Sequence, residues 1–175
     1  FINYLLSKMA KIGIFWGSSS EMTALASDIV KSELESHNHE VVYYNVRDGI
    51  ESLSNYKNLI IGCPTWHVGE LQDDWDMLFE DFKKISFNGV TAAFFGAGDQ
   101  FGYSCNYLDA VGILAREFME KSGRLVGRWS IDGYEFDESI ALENDEFLGL
   151  ALDYDNQDSL SEERINLWVN MIHSE

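Results

Sequence analysis

Proline, cysteine and long apolar runs are all scarce in this chain of 175 residues. A single proline beside 14 glycines is not the composition of a collagen-like or disordered chain. The two cysteines, Cys63 and Cys105, are too few for a disulfide framework or a four-cysteine metal site. No apolar run approaches the roughly 20 residues that a membrane-spanning helix needs. The composition therefore indicates a globular chain that folds without a disulfide framework.

Basic residues are also few. Lysine and arginine number 12 against 30 aspartates and glutamates, which gives a formal net charge of -18 at pH 7. Such a field repels nucleic acids and anionic membranes and attracts basic proteins. We therefore expect partners of positive charge, no nucleic-acid partner and no insertion into a membrane.

The length and the first residues predict one domain. A chain of 175 residues has the size of a single domain, and its 46% of hydrophobic residues can form a sizeable core. Met9 looks like a natural start, so we expect an extension over residues 1–8 and one domain over 9–175. The extension lacks a small-residue cleavage site, so it does not resemble a signal peptide and a cytoplasmic location is expected.

Apolar runs rich in β-branched and aromatic residues alternate with helical patterns. Strands are predicted at 11–16, 40–45, 58–62 and 90–95, and a fifth begins at 124. Helices are predicted at 21–35, 75–83, 107–121 and 161–172, with a brief one at 49–54. This alternation predicts an α/β fold, a doubly wound five-stranded parallel sheet with helices on both faces. Residues 131–146 interrupt the fifth strand and are expected to form an inserted loop.

Three loops follow the carboxyl ends of strands, where such sheets bind ligands. The first loop (17–23) carries hydroxyl groups at the start of a helix, which suits a phosphate group; they belong to Ser18, Ser19, Ser20 and Thr23. It is not a Walker loop, because no Gly-Lys-Ser/Thr sequence follows. The alternative is a capping box, in which Ser18 caps the helix and Glu21 reaches back to it.

The second loop (64–72) and the third loop (96–106) each carry an aromatic residue. Trp66 can stack on a planar ligand, or it can be half-buried packing. In the third loop, three glycines allow the backbone to approach a flat ligand closely. Tyr103 offers a second aromatic ring, and Asp99 offers acceptors to an N–H group of the ligand. The alternative is an ordinary flexible turn. Taken together, the three loops predict a phosphorylated planar aromatic ligand, either a nucleotide or flavin mononucleotide (FMN).

Several spaced motifs resemble the flavodoxin family. They are IIGCPTW at 60–66, GELQ at 69–72 and FGAGDQFGY at 95–103. WSIDGY at 129–134 and GLALD at 149–153 match the long-chain subgroup, whose fifth strand carries an insertion. The resemblance implies a flavodoxin-like sheet in the order 2-1-3-4-5, non-covalent FMN, and transfer of single electrons between redox proteins as a low-potential substitute for ferredoxin.

The resemblance also implies the residues that bind FMN. Trp66 and Tyr103 would enclose the isoalloxazine ring, and Asp99 would accept a hydrogen bond from its N3–H group. The phosphate would lie against Ser18, Ser19, Ser20, Met22 and Thr23. The ring edge and the ribityl chain would lie near Pro64, Thr65, His67, Val68, Gly69, Gly98, Asn106 and Asp155. Two departures from the family pattern are Glu21, where a glycine is usual in the phosphate loop, and His67, where asparagine or glycine is common.

The pair of Trp66 and Tyr103 looks most like the flavodoxins of cyanobacteria. That likeness implies a monomer whose partners are basic redox proteins such as ferredoxin-NADP reductase, and photosystem I. One alternative is an FMN-dependent quinone or flavin reductase on the same fold, and another is a flavin-free binding module if Glu21 disrupts the phosphate loop. A receiver domain is disfavoured, because Trp16-Gly17 and Cys63-Pro64 occupy the places of its acidic residues.

Overall fold

The computed structural model describes residues 9–175, so the predicted extension at residues 1–8 lies outside the described residues. Its main sheet is parallel, with strands β1 (Lys11–Trp16), β2 (Glu40–Asn45), β3 (Asn58–Gly62), β4 (Thr91–Ala97) and β5 (Arg124–Val126). The spatial order is β2-β1-β3-β4-β5, which confirms the order 2-1-3-4-5. The first three strands have the predicted bounds, because each is a compact apolar run between polar turns.

Four α-helices accompany these strands in the described part of the chain: α1 (Glu21–Ser36), α2 (Asp73–Phe82), α3 (Asp109–Glu120) and α4 (Asp158–Ser174). Helix α2 begins two residues before its predicted start, because the Gln72 side chain accepts from the Trp75 amide at 3.4 Å and caps it. Helix α3 begins two residues late, because Leu108 adopts a left-handed conformation with φ 62°. The predicted helix at 49–54 is a short 3₁₀ turn at Glu51–Asn55, and a second 3₁₀ turn, Val46–Asp48, precedes it. None of the helices within 9–175 is long and apolar enough to cross a membrane.

The sheet separates two hydrophobic cores. Consecutive strand residues point to opposite faces, so Ile14 belongs to one core and Phe15 to the other, and both are fully buried. Ile60 and Ile61 divide in the same way. Burial on both faces explains why these strands are continuous apolar runs without alternation of polar residues.

The fifth strand is interrupted, as predicted. β5 pairs with the start of β4, whereas β9 (Leu150–Leu152) pairs with its end, opposite Phe95, Gly96 and Ala97. The expected boundary of the third loop is therefore wrong, because Gly96 and Ala97 belong to β4. A Cβ atom on Gly96 would lie 2.3 Å from the Cys63 carbonyl oxygen, so this strand position requires glycine.

The inserted segment is more ordered than the expected loop. It holds a small antiparallel sheet of β6 (Trp129–Ser130), β8 (Glu146–Phe147) and β7 (Leu142–Glu143), in that spatial order. The sequence predicts that the fifth strand begins at 124 and is interrupted from about 131. It leaves the main sheet at Gly127, whose φ of 74° turns the backbone away. The short strands were missed because two paired residues carry no periodicity of their own.

Candidate functional site

The three loops meet at the carboxyl edge of the sheet around one cleft, which we call the loop cleft. Its volume is about 530 Å³, within the range of small-molecule sites. Most of its lining consists of residues that the sequence predicted: Ser20, Met22, Pro64, Thr65, Trp66, His67, Gly98, Asp99, Tyr103 and Asp155. Ala97 and Tyr154 also line it and were not predicted.

Six predicted residues lie beside the loop cleft rather than in its lining: Ser18, Ser19, Thr23, Val68, Gly69 and Asn106. Ser18 and Thr23 are buried, whereas Val68 is 70% exposed at the tip of the second loop. Asn106 donates to the buried carboxylate of Asp109 at 3.0 Å, so its side chain supports the start of α3. Their assignment to ligand binding stays a prediction.

The first loop ends with Ser20 at the N-cap of α1. Ser20 has an extended backbone, and its side chain makes no capping hydrogen bond. The Ser18 hydroxyl donates to the Ser20 carbonyl and accepts from the Ser20 amide at 3.2 Å. The capping-box alternative is therefore wrong, because Glu21 is the first helical residue and Ser18 lies outside the helix. The amide groups of the first helical turn have no partners within the helix and are available to an anion.

Thr23, at the end of this loop, carries a buried hydroxyl group. Its side chain is 2% exposed, and within the described residues its Oγ1 atom has no hydrogen-bond partner. Buried polar atoms are almost always paired in folded proteins. An unpaired hydroxyl in the first turn of α1 is consistent with a ligand that completes the site.

The second loop is a tight turn that positions the Trp66 ring. The backbones of Trp66 and Glu70 exchange two hydrogen bonds of 2.9 and 2.8 Å. Between them, His67 and Gly69 have φ values of 46° and 84°. A Cβ atom on Gly69 would lie 2.6 Å from the Asp109 carboxylate, so glycine is required for both conformation and space. The turn holds the Trp66 ring half-buried at the wall of the loop cleft.

Thr65 joins the second loop to the start of helix α3. Its hydroxyl accepts from the Ala110 amide at 3.2 Å, and its own amide donates to the Ala97 carbonyl at 2.9 Å. One side chain thus satisfies an otherwise unpaired amide of the first turn of α3. The sequence pattern did not show this capping role, because the two residues lie 45 positions apart.

Asp99 forms the turn of the third loop. Its Oδ1 atom accepts from the amides of Phe101 and Gly102 at 3.1 and 2.8 Å, and from the Asn156 side chain at 2.9 Å. The hydrogen bond from the Gly102 amide is the main cause that lowers the pKa of Asp99. The side chain is therefore ionised at neutral pH and can act as an acceptor. Tyr103, which follows Gly102 in the same loop, is about half exposed on the cleft wall.

The loop cleft is acidic. Asp99 and Asp155 line it, and among the described lining residues there is no lysine or arginine. Burial raises the pKa of Tyr154 to about 12, so this tyrosine stays neutral. Beside the second loop, the first turn of α2 carries Asp73, Asp74 and Asp76. Any anion bound here is held by neutral donors against a negative field.

Replacing Asp155 by asparagine should stabilise the protein at neutral pH. Burial raises the pKa of Asp155, and the charges of Asp99 and Asp153 raise it further. A carboxyl whose pKa is higher in the folded state binds more protons when folded, so its ionisation opposes folding above that pKa. We expect a higher midpoint of urea unfolding at pH 7 and no difference near pH 3. An equal rise in the unfolding midpoint at both pH values would show that the gain does not come from removing the ionised Asp155 carboxylate.

Comparison with known proteins relates the chain to one family. The profile of the flavodoxin family matches residues 14–168. A flavodoxin of Nostoc sp. is 45% identical over 166 residues, which cover 94% of this chain and 96% of the relative. The flavodoxin of Synechococcus elongatus is 42% identical over 167 residues, with coverage of 95% and 98%. The crystal structure of Fusobacterium nucleatum flavodoxin bound to flavin mononucleotide aligns with a TM-score of 0.91 at 32% identity, covering 95% of this chain and 98% of that one.

Proposed function

This chain belongs to the flavodoxin family, and from that premise we propose that it carries single electrons between redox proteins with non-covalently bound FMN. The observation that carries the proposal is the loop cleft, where the rings of Trp66 and Tyr103 and the N-cap residue Ser20 of α1 lie around one space. That combination suits a planar aromatic ligand with a phosphate group.

The residues of the loop cleft fit FMN. Trp66 and Tyr103 would hold the ring, and the ionised Asp99 would accept from its N3–H group. Ser20 and the amides at the start of α1 would hold the phosphate, with the unpaired hydroxyl of Thr23 beside them. FMN supplies the redox chemistry when bound, and the protein supplies its binding and its electrostatic surroundings.

The surrounding charge favours a low reduction potential. A unit negative charge about 10 Å away opposes another by roughly 1–2 kcal/mol at an effective dielectric constant near 20. Asp99 and Asp155 lie in the cleft lining, and no lysine or arginine of the described residues lines it beside them. A site that disfavours added negative charge gives its electrons up readily, as a donor to other redox proteins must.

We propose basic redox proteins as the partners, such as ferredoxin-NADP reductase, together with photosystem I. Support comes from the net charge of -18 and from the acidic first turn of α2 beside the second loop. Val68 in the second loop and Phe101 in the third loop, both exposed, offer apolar contacts to such a partner. A monomer is proposed for the carrier. The cytoplasmic location expected from the sequence stays a prediction.

We propose a carrier rather than an enzyme, and no observation favours the reductase alternative. An absorption titration of the purified protein with FMN tests the proposal, followed by stepwise reduction. We expect a bound-flavin spectrum and separate uptake of the first and second electron. A protein that binds no FMN, or one that rapidly oxidises NAD(P)H in two-electron steps, would overturn it.

Replacing Glu21 by glycine should tighten FMN binding while slightly destabilising the apoprotein. Glu21 is exposed in the first turn of α1, beside the expected phosphate. There its charge repels the phosphate dianion. The same charge interacts favourably with the helix dipole and stabilises the folded protein by about 0.3–1 kcal/mol. Titration of each apoprotein with FMN at fixed salt measures the first effect, and urea unfolding the second.

Glu21→Gln is the matched control for this prediction, because it removes the charge without adding the backbone freedom of glycine. If charge dominates, both variants bind FMN more tightly than the natural protein. Inorganic phosphate should also compete better with FMN in both variants. Equal or weaker binding by the two variants would mean that Glu21 points away from the phosphate.

A further inference from the structure

A buried carboxylate that does not line the loop cleft organises its third loop. Asp153 follows strand β9 and is fully buried. Its Oδ2 atom accepts from the Gln100 amide at 3.2 Å and from the Gln100 side chain at 2.6 Å. Its Oδ1 atom accepts from the Asn156 amide at 3.0 Å. All the partners of its side chain among the described residues are N–H donors, so the carboxylate acts there as an acceptor.

Asn156 connects this carboxylate to Asp99. The Asn156 side-chain amide lies 3.0 Å from each oxygen of Asp153 and donates to Asp99 Oδ1 at 2.9 Å. Asp99 and Asn156 lie 57 positions apart in the sequence. Their contact holds the turn of the third loop against the segment that follows β9.

Gln100 connects the same carboxylate to the inserted segment. Its side chain is 1% exposed, and its Oε1 atom accepts from the Glu135 amide at 2.6 Å. Asp153 therefore orients Gln100 so that the amide nitrogen faces β9 and the oxygen faces the insertion. A charged acceptor forms stronger hydrogen bonds than a neutral one, so this orientation of the Gln100 amide is favoured over the flipped one.

We propose that Asp153 is a positioning residue that holds Asp99 in register with the ring edge of FMN, acting through Asn156. The inference rests on the proposed function, in which Asp99 accepts from the N3–H group. Asp153 does not line the loop cleft, so it would not contact FMN itself. Its effect should therefore appear as recognition of that one group rather than as general affinity.

The test compares FMN with 3-methyl-FMN, whose N3 atom cannot donate a hydrogen bond. Both are titrated into the apoprotein, and the ratio of the two dissociation constants is the readout. A hydrogen bond to a charged acceptor corresponds to about 10- to 100-fold in affinity, so the natural protein should prefer FMN by at least about tenfold. We expect Asp153→Asn to reduce this preference to about twofold.

Asn156→Ala keeps the test informative if Asp153→Asn folds poorly, because Asn156 is exposed. It should lower the preference in the same way. Asn170→Ala is the matched control: Asn170 is also exposed, and among residues 9–175 its side chain bonds only within α4, to the Asn166 carbonyl at 2.8 Å. This control should keep the full preference.

The possible failures are distinguishable. If Asp153→Asn and Asn156→Ala weaken both flavins equally and keep the ratio, their role is general stability and the positioning role is overturned. If Asp99→Ala also keeps the ratio, Asp99 does not recognise N3–H, which overturns the positioning role while FMN binding stands. Failure of the natural apoprotein to bind FMN would instead overturn the proposed function.

Discussion

Replacing Trp66 by alanine should weaken FMN binding by at least about tenfold and restore the fluorescence of the flavin. Trp66 lies half-buried at the cleft wall in a turn closed by two backbone hydrogen bonds to Glu70. Aromatic stacking contributes about 0.5–1.5 kcal/mol beyond the burial of area, and loss of that burial adds to it. A factor of ten corresponds to about 1.4 kcal/mol. Fluorescence titration of the apoprotein with FMN measures both effects.

Trp66→Phe is the control, because it keeps an aromatic face in the same turn. It should retain most of the quenching and most of the affinity. Tyr103→Ala should produce a smaller loss, because Tyr103 is about half exposed and its contact with any ligand is open to water. Full quenching in the alanine variants at both positions would refute the enclosure of the flavin between these rings.

Electron transfer to a basic partner should slow by about tenfold or more as salt rises from 0.01 to 1 M. The screening length falls over that range from about 30 to about 3 Å, and electrostatic steering accelerates association by 10- to 1,000-fold. The net charge of -18 and the acidic start of α2 provide the attraction. Stopped-flow oxidation of the reduced protein by cytochrome c, a basic acceptor, measures the rate.

Ferricyanide supplies the opposite control. It is a small anion, so the same negative field should repel it and its rate should rise with added salt. A rate with cytochrome c that stays constant over this range would remove the claim that charge steers the encounter. Parallel changes with both acceptors would indicate an effect of salt on the protein itself rather than on association.

The local sequence determined most of the secondary structure. β1 and β3 are short apolar runs between polar turns, and their bounds agree with the prediction because burial on both faces leaves no ambiguous residues. The positions of Trp66, Asp99 and Tyr103 at one edge also followed from the alternation, since parallel strands end on the same side of a sheet. The resemblance to flavodoxin supplied the strand order and the individual ligand roles.

The tertiary structure alone decided where elements begin and how the loops are held. Because Leu108 adopts a left-handed conformation, α3 begins later than the helical pattern of the sequence predicts. The pairing of Gly96 with Ala151 extends β4 beyond its predicted end. The hydrogen bonds from Gln100 to Asp153 and from Asn156 to Asp99 join residues 53 and 57 positions apart. Patterns of hydrophobicity report burial along one segment, whereas these contacts depend on how distant segments pack, and no single segment carries that information.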